Sequence, residues 1–190
     1  PSQDRWVEIT LATYYQLIGG CGSREGCTEG EDWVNNALEV TEAWLDRSPK
    51  NGKALAFHAA FLGMKIEYAP ARAFYLAPLS QKFLTKAEAN APNDPQVWIE
   101  KGNFAYHAPA LFGGNMEKAE TNFAKAVELQ EKQSATPATS WLYLHSLVYQ
   151  ARAAQNNGKK ERARELYDRI LQLEPSFIWV RDQLIPQLGR

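Results

Sequence analysis

The sequence lacks several features that mark large functional classes of protein. It has no excess of basic charge, because 21 basic and 22 acidic residues leave a formal net charge of -1. Proteins that work mainly on nucleic-acid phosphates or anionic lipid usually carry such an excess. No apolar run approaches the roughly 18 to 20 residues that a membrane-spanning helix needs, and no segment has the pattern of a β-strand. These absences argue against a nucleic-acid-binding protein and against a transmembrane segment.

The residue patterns of common active sites are missing as well. There is no Gly-x-Ser-x-Gly, no phosphate-cradling Gly-rich loop followed by Lys, and no His-Glu-x-x-His. The histidines His58, His107 and His145 lie in three separate helical regions, and His58, beside Phe57, is expected to be a packed, hydrogen-bonded core residue. The two cysteines would need two further ligands to hold zinc, and the sequence offers no His or Cys pair at metal spacing. We therefore predict a protein that is not an enzyme and that holds no cofactor and no metal.

What the sequence does contain is a helical repeat. Hydrophobic residues make up 45% and charged residues 23% of the 190 positions, the balance of a globular domain with a sizeable core. Four segments share one spacing: small or apolar residues separated by four and then three positions, with a proline five positions later. Pro49, Pro92 and Pro175 end three of them, and Glu131 stands in place of the proline in the other. Steps of four and three put side chains on one face of a helix, and proline stops the helix. The sets are Ala37, Thr41 and Trp44; Ser80, Leu84 and Ala87; Ala119, Phe123 and Ala126; Ala163, Tyr167 and Ile170.

A second helix with the same steps precedes three of these segments. The middle residue of each set is small, which allows a neighbouring helix to approach closely. The sets are Leu55, Ala59 and Leu62; Trp98, Gly102 and Ala105; Leu147, Ala151 and Ala154. Seven segments on one plan indicate a repeat protein, in which each unit buries its apolar face against its neighbours.

Capping residues predict where several of the helices begin. Asn51, Asp94-Pro95 and Thr136-Pro137 each combine features found at helix starts. At the amino end we expect a helix over residues 4–18, followed by a Gly-rich, acidic loop from Gly19 to Gly30. At the carboxyl end a helix from Ser176 to Leu188 is expected to seal the stack with Phe177, Val180, Leu184 and Ile185.

This plan resembles the tetratricopeptide repeat, a helix-turn-helix unit of about 34 residues. In the stretch from Leu144 to Pro175, Gly158 lies between the helices, and Ala163 and Tyr167 fall at positions of the family pattern. The resemblance covers roughly residues 35–175. It implies an all-α fold, a right-handed superhelical stack of about four antiparallel helix pairs with a C-terminal capping helix. We expect a single domain over residues 1–190, with units at about 4–49, 51–92, 94–131 and 137–175 and the capping helix at 176–188.

Insertions between the paired helices distinguish these units from the standard repeat. Tyr68-Ala69-Pro70-Ala71 is similar to His107-Ala108-Pro109-Ala110, and the latter continues into Leu111-Phe112-Gly113-Gly114. The glycine pair is predicted to form a turn that lets two helices reverse. Insertions of this kind look like those of an exported bacterial subgroup of the family, which implies the periplasm or the envelope. The chain starts at Pro1 without Met, and we expect any signal segment to be absent from it.

Two cysteines lie in the expected Gly-rich loop. In an exported protein Cys21 and Cys27 would form a short disulfide that closes the loop, and in a reducing compartment they would be free thiols. The resemblance to exported proteins favours the disulfide.

The resemblance also suggests a binding surface, because the first helix of each unit lines a concave groove in this family. Residues just after each core position would face that groove. They can hold an extended peptide by hydrogen bonds, or a carboxylate by Arg152. We therefore predict a monomeric, non-enzymatic scaffold that binds a protein segment or peptide. The candidate groove residues are Lys53, Gln96, Ile99, Asn103, Tyr106, His145, Arg152 and Gln155.

An alternative function rests on the insertions themselves. Residues 68–78 and 107–114 are rich in large apolar side chains, and these could wall a pocket instead of leaving an open groove. The protein would then be a small-molecule-binding component of an envelope or uptake system. The side chains concerned are Phe74, Tyr75, Leu76, Leu111 and Phe112.

Overall fold

The computed structural model of the protein describes residues 3–22 and 28–189, and it confirms the all-α prediction. No residue in those two ranges belongs to a β-strand. Eight long helices alternate with short connections, and a shorter helical segment over residues 178–187 follows them. The long helices are α1 (Gln3–Gly22), α2 (Gly30–Arg47), α3 (Gly52–Tyr68), α4 (Ala73–Asn90), α5 (Pro95–His107), α6 (Met116–Gln133), α7 (Trp141–Asn156) and α8 (Lys160–Leu173).

The chain forms two compact units, Pro1–Pro92 and Asn93–Arg190. In the first unit α1 packs on α2, α2 on α3 and α3 on α4. In the second, α5 packs on α6, α6 on α7 and α7 on α8, and the C-terminal helical segment packs on α8. Each helix therefore lies beside the helix that follows it within its unit, as in a stack of helical hairpins. No helix among the described residues is long and apolar enough to span a bilayer.

The repeated spacings form the cores of both units. All twelve residues of the four sets that end at Pro49, Pro92, Glu131 and Pro175 are buried, including Trp44 at 1% exposure and Phe123 and Tyr167 at 0%. The matching sets on the helices that precede three of these segments are buried as well, except for Trp98, which is only partly buried. The predicted sealing residues are placed likewise, because Val180 and Leu184 are buried against the core of the second unit. The 4-and-3 periodicity thus identified the packed face of each helix.

His58 is also the packed core residue that the sequence predicts. Its ring is 5% exposed, and its Nδ1 lies 2.9 Å from the Oγ1 of Thr41. Because that hydroxyl already donates to the Leu38 carbonyl, the imidazole Nδ1–H donates to the hydroxyl. Burial lowers the pKa of His58 from 6.5 to about 4, so the ring is neutral at physiological pH.

Helix ends follow proline closely in this chain. α2, α4 and α8 stop at Arg47, Asn90 and Leu173, each two residues before its proline, because the residue preceding proline is disfavoured in the helical region. α6, which has Glu131 where the others have proline, continues to Gln133. At the other ends, Asn51 accepts a hydrogen bond from the Ala54 amide and Asp94 accepts one from the Gln96 amide, as predicted.

Three predicted boundaries are wrong. α1 does not stop at residue 18 but runs to Gly22, because Ile18 and Cys21, three positions apart, continue its buried face. Thr136-Pro137 begins a short 3-10 turn, and α7 starts only at Trp141. The C-terminal segment starts at residue 178 rather than 176 and contains a π-helical turn, Val180–Leu184. Pro186 accounts for that turn, since its ring would clash with the carbonyl four residues earlier in a regular α-helix.

The insertion before α6 is a tight reversal that depends on glycine. Gly113 has φ 95°, a left-handed conformation. A Cβ on Gly114 would lie 1.6 Å from the Ala108 carbonyl oxygen, so the backbone approach excludes any side chain there. The predicted glycine turn is therefore confirmed. It lets Asn115 donate its amide hydrogen to the Ala105 carbonyl and cap α6 with its side chain.

Candidate functional site

Three of the predicted groove residues are held by contacts inside the protein. Lys53 in α3 forms an ion pair with Glu8 of α1, with Nζ and Oε1 3.0 Å apart. Ile99 and Gln96 are only 2% and 8% exposed. The assignment of Ile99 and Gln96 to the groove surface is wrong, because α5 is covered at these two positions.

A buried carboxylate explains the position of two amides on α5. Glu100 is 2% exposed, and its two carboxylate oxygens accept hydrogen bonds from Gln96 Nε2 at 2.7 Å and Asn103 Nδ2 at 2.9 Å. Burying a carboxylate without such donors would be costly. Asn103 remains half-buried at the edge of this cluster. Sequence reasoning missed Glu100, although its spacing from Gln96 and Asn103 by four and three places all three on one face.

The remaining predicted residues come together in the second unit. Tyr106 of α5 lies against Tyr149 of α7 with ring centroids 5.3 Å apart, and its hydroxyl accepts a hydrogen bond from Asn156. Gln155 is directed toward α8, where its Oε1 accepts a hydrogen bond of 2.9 Å from the Tyr167 hydroxyl. Gln155 thus supports the packing, whereas Tyr106, His145 and Arg152 lie at the shared face of α5 and α7.

Rings line one face of α7 at steps of four residues. The rings of Trp141, His145 and Tyr149 contact one another in succession, the first pair edge to face and the second tilted, with centroid distances of 5.8 Å and 4.6 Å. Four-residue steps on a helix bring side chains above one another. Trp141 is 54% exposed, so this row begins at the surface and runs into the protein. The result is a continuous aromatic face directed away from the small-residue core face of the helix.

Arg152 continues this face and lies among three aromatic rings. Its guanidinium carbon is 5.2 Å from the ring centroid of Tyr149, 5.3 Å from that of Tyr106 and 5.5 Å from that of Trp179. These distances are within the range of cation–π attraction. In the part of the chain that the structure describes, the guanidinium forms no ion pair and no hydrogen bond. The rings therefore position a cation whose N–H donors are available to a ligand.

A cleft of about 240 Å³ adjoins the cation. It is bounded by α7 on one side and by the start of the C-terminal helical segment on the other. Its lining residues are apolar or aromatic apart from His145, which suits an apolar group of a ligand. The lining residues are Trp141, Leu144, His145, Val148, Tyr149, Phe177 and Trp179.

The two histidines beside the cleft add no charge at neutral pH. Burial, and then the neighbouring His107, lower the pKa of His145 from 6.5 to about 4. Partial burial and the positive charge of Arg152 lower the pKa of His107 as well, although solvent reaches more than a third of that residue. Both imidazoles are thus neutral at pH 7. Arg152 supplies the positive charge on this face.

The fold has counterparts among solved structures. A thermophilic TPR protein of Thermus thermophilus, TTC0263, superposes with a TM-score of 0.64 over 97% of this chain and 91% of its own, at 17% sequence identity. The MamA protein superposes with a TM-score of 0.56 over 94% of this chain and 80% of its own, at 14% identity. Neither the protein-family models nor the curated proteins contain a match to this sequence. The chain has a tetratricopeptide-repeat-like fold.

Within this repeat-like fold, α5 and α7 each open a helix pair, and the cation and cleft lie on the face they share. Trp141, Tyr149, Phe177 and Trp179 were not predicted as site residues. The four-residue spacing from Trp141 to Tyr149 was a signal in the sequence for the first two. Phe177 and Trp179 carried no such signal, since they follow the end of α8 and reach α7 only through the return of the chain.

Three of the insertion residues proposed to wall a pocket are mostly exposed. Phe74, Tyr75 and Leu111 are 75%, 69% and 78% exposed. The structure therefore gives no support to a small-molecule pocket walled by these side chains.

Only one of the two cysteines of the predicted disulfide lies among the described residues. Cys21 is buried at the end of α1 and is disulfide-bonded. Cys27, its predicted partner, lies outside the described residues.

Proposed function

We propose that this protein is a non-enzymatic interaction scaffold, and that its second unit binds an extended segment of another protein along the cleft of α7. The observation that carries the proposal is the positioned Arg152 next to an apolar cleft. The rings of Tyr106, Tyr149 and Trp179 hold the guanidinium by cation–π contacts, and a ligand with a carboxylate and an apolar group would add a charged hydrogen bond and an apolar contact. The repeat-like fold supports the same conclusion, because such stacks offer extended surfaces to partner segments.

We also propose that the protein acts in the bacterial periplasm or envelope. The disulfide bond of Cys21 supports an oxidising compartment, since disulfides persist there and are rare in the cytosol.

Affinity capture from a bacterial envelope extract tests the binding proposal. The immobilised protein is compared with Trp141→Ala, which removes an exposed wall of the cleft, and with Tyr75→Ala, which removes an exposed ring of the first unit. We expect the partner to be retained by the unmodified protein and by Tyr75→Ala, and to be lost from Trp141→Ala. Loss only from Tyr75→Ala would move the binding surface to the first turn of α4 and contradict the proposal. Equal retention by all three proteins would also contradict it.

A further inference from the structure

The geometry of Arg152 and the cleft points to the chemistry of the bound segment. We propose that it carries an acidic residue that pairs with Arg152 and a large apolar residue about three positions away that fills the cleft. This inference rests on the proposed function, because it names the sequence features that the same site selects.

The acidic residue follows from how Arg152 is held. Rings of Tyr106, Tyr149 and Trp179 contact the guanidinium at 5.2 to 5.5 Å. Ring contacts of this kind satisfy the cation electrostatically but accept no in-plane hydrogen bond. The donors along the edges of a guanidinium match a carboxylate in a two-pronged arrangement. No described residue accepts a hydrogen bond from them, so they are available to a carboxylate of the ligand.

The neutral surroundings strengthen the preference for an anion. His107 and His145 are uncharged at pH 7, and the cleft lining contains no carboxylate. A ligand carboxylate would therefore meet the positive charge of Arg152 without competition from an acidic neighbour in that lining. A basic residue of the ligand would be repelled at the same place.

The spacing follows from helix geometry. Within the α7 part of the lining, His145 lies near the middle, and Arg152 follows it by seven positions. Seven residues of α-helix advance about 10 Å. An extended peptide advances about 3.3 Å per residue, so about three residues of ligand span the distance. We therefore expect the acidic residue of the segment at position i and its apolar residue at i+3 or i−3. The selection experiment determines which of the two comes first along the peptide.

A phage-displayed library of random twelve-residue peptides, selected at pH 7 on the full chain, tests this motif. Parallel selections use Arg152→Glu and a control, Arg164→Glu, which makes the same charge change at an exposed arginine of α8 paired with Asp168. We expect peptides enriched on the unmodified protein and on the control to contain Asp or Glu three positions from a Trp, Phe, Leu or Ile. On Arg152→Glu that pair should not be enriched.

The outcomes separate the inference from the proposed function. Enrichment of apolar peptides without an acidic residue would overturn the inference and leave the binding function intact. If no peptide is enriched on any of the three proteins, the result contradicts both the proposed function and the inference that rests on it. Enrichment of the same acidic motif on Arg152→Glu would overturn the assignment of the acidic residue to Arg152.

A charge swap then checks the pairing directly. Synthetic peptides made from the enriched motif, with and without its acidic residue replaced by Lys, are titrated against both proteins by fluorescence anisotropy. We expect the Lys peptide to bind the unmodified protein more than about tenfold more weakly, because it loses a hydrogen bond to a charged group and brings a second cation to Arg152. The same Lys peptide should bind Arg152→Glu more tightly than the acidic peptide does. Weak binding of both peptides to Arg152→Glu, with that protein folded by circular dichroism, would refute the direct pairing.

Discussion

A methyl group added at Gly102 would test how closely the repeat helices pack. Gly102 lies on the buried face of α5. A Cβ at this position would come within 2.8 to 2.9 Å of three ring carbons of Phe123 in α6, whereas carbon atoms in favourable contact lie about 3.5 to 4.0 Å apart. The Phe123 ring is 0% exposed. It cannot turn into solvent, so the two helices themselves would have to move apart.

Two opposing effects decide the stability of Gly102→Ala. Alanine in place of glycine inside a helix stabilises by about 1 kcal/mol. Overpacking a tight interface costs about 1 to 3 kcal/mol. We therefore expect a net loss of about 1 kcal/mol in the free energy of unfolding.

Gly63→Ala provides the matched control. Gly63 lies inside α3, and a Cβ there would meet no atom within 4 Å. Only the gain in helix propensity remains, so we expect this variant to be stabilised by about 0.5 to 1 kcal/mol. Urea unfolding followed by circular dichroism measures both variants. If Gly102→Ala were stabilised as much as Gly63→Ala, the close approach of α5 and α6 would be wrong.

Two further predictions concern buried polar groups. The folded pKa of His58 is about 4 and lies below its ordinary value of 6.5, so the unfolded chain binds the extra proton between these values. Stability from this group is present above pH 6.5 and is lost as the pH falls toward 4, by about 2 kcal/mol between pH 7 and pH 5. Urea unfolding at both pH values should show a smaller loss in His58→Gln, and an unchanged loss would contradict the assignment. Separately, the buried Tyr143 hydroxyl donates to Glu131 and accepts from Arg169, both at 2.6 Å. Tyr143→Phe should therefore lower the free energy of unfolding by about 1 to 2 kcal/mol. Tyr75→Phe, at an exposed ring, should change the melting temperature little. Equal melting temperatures of these two variants would argue against a stabilising role for the Tyr143 hydroxyl.

The helices and their packed faces could be predicted because they depend on neighbours along the chain. The spacing of Ala163, Tyr167 and Ile170 identifies a buried helical face whatever lies opposite. Pro49, Pro92 and Pro175 end their helices through clashes with the residues just before them. Asn51 and Asp94 cap helices through amides two or three residues away. Where a boundary prediction was wrong, as at α1, packing extended a helix through glycines that local propensity disfavours.

The candidate site could be predicted only in part. The repeat pattern predicts which side of α5 and α7, the first helices of their pairs, carries the core. It therefore assigned Tyr106, His145 and Arg152 to the opposite side of these helices, and the structure brings the three residues to one shared face. Ile99 was misplaced because a helix inside a stack is covered on more than one side, and the pattern identifies only the most regular of them. Glu100 was missed because a charged residue is ordinarily assigned to the surface.

The sequence by itself determined that this is a helical repeat protein, because steps of four and three residues, small residues and prolines act locally. Only the tertiary structure decided how the site is built. Trp179 reaches Arg152 because the chain returns after α8 and places its C-terminal segment beside α7. That contact joins residues 27 positions apart in the sequence, and no periodicity along a single helix encodes it. The same return places Phe177 opposite α7, so that the row of rings on α7 becomes one wall of a cleft.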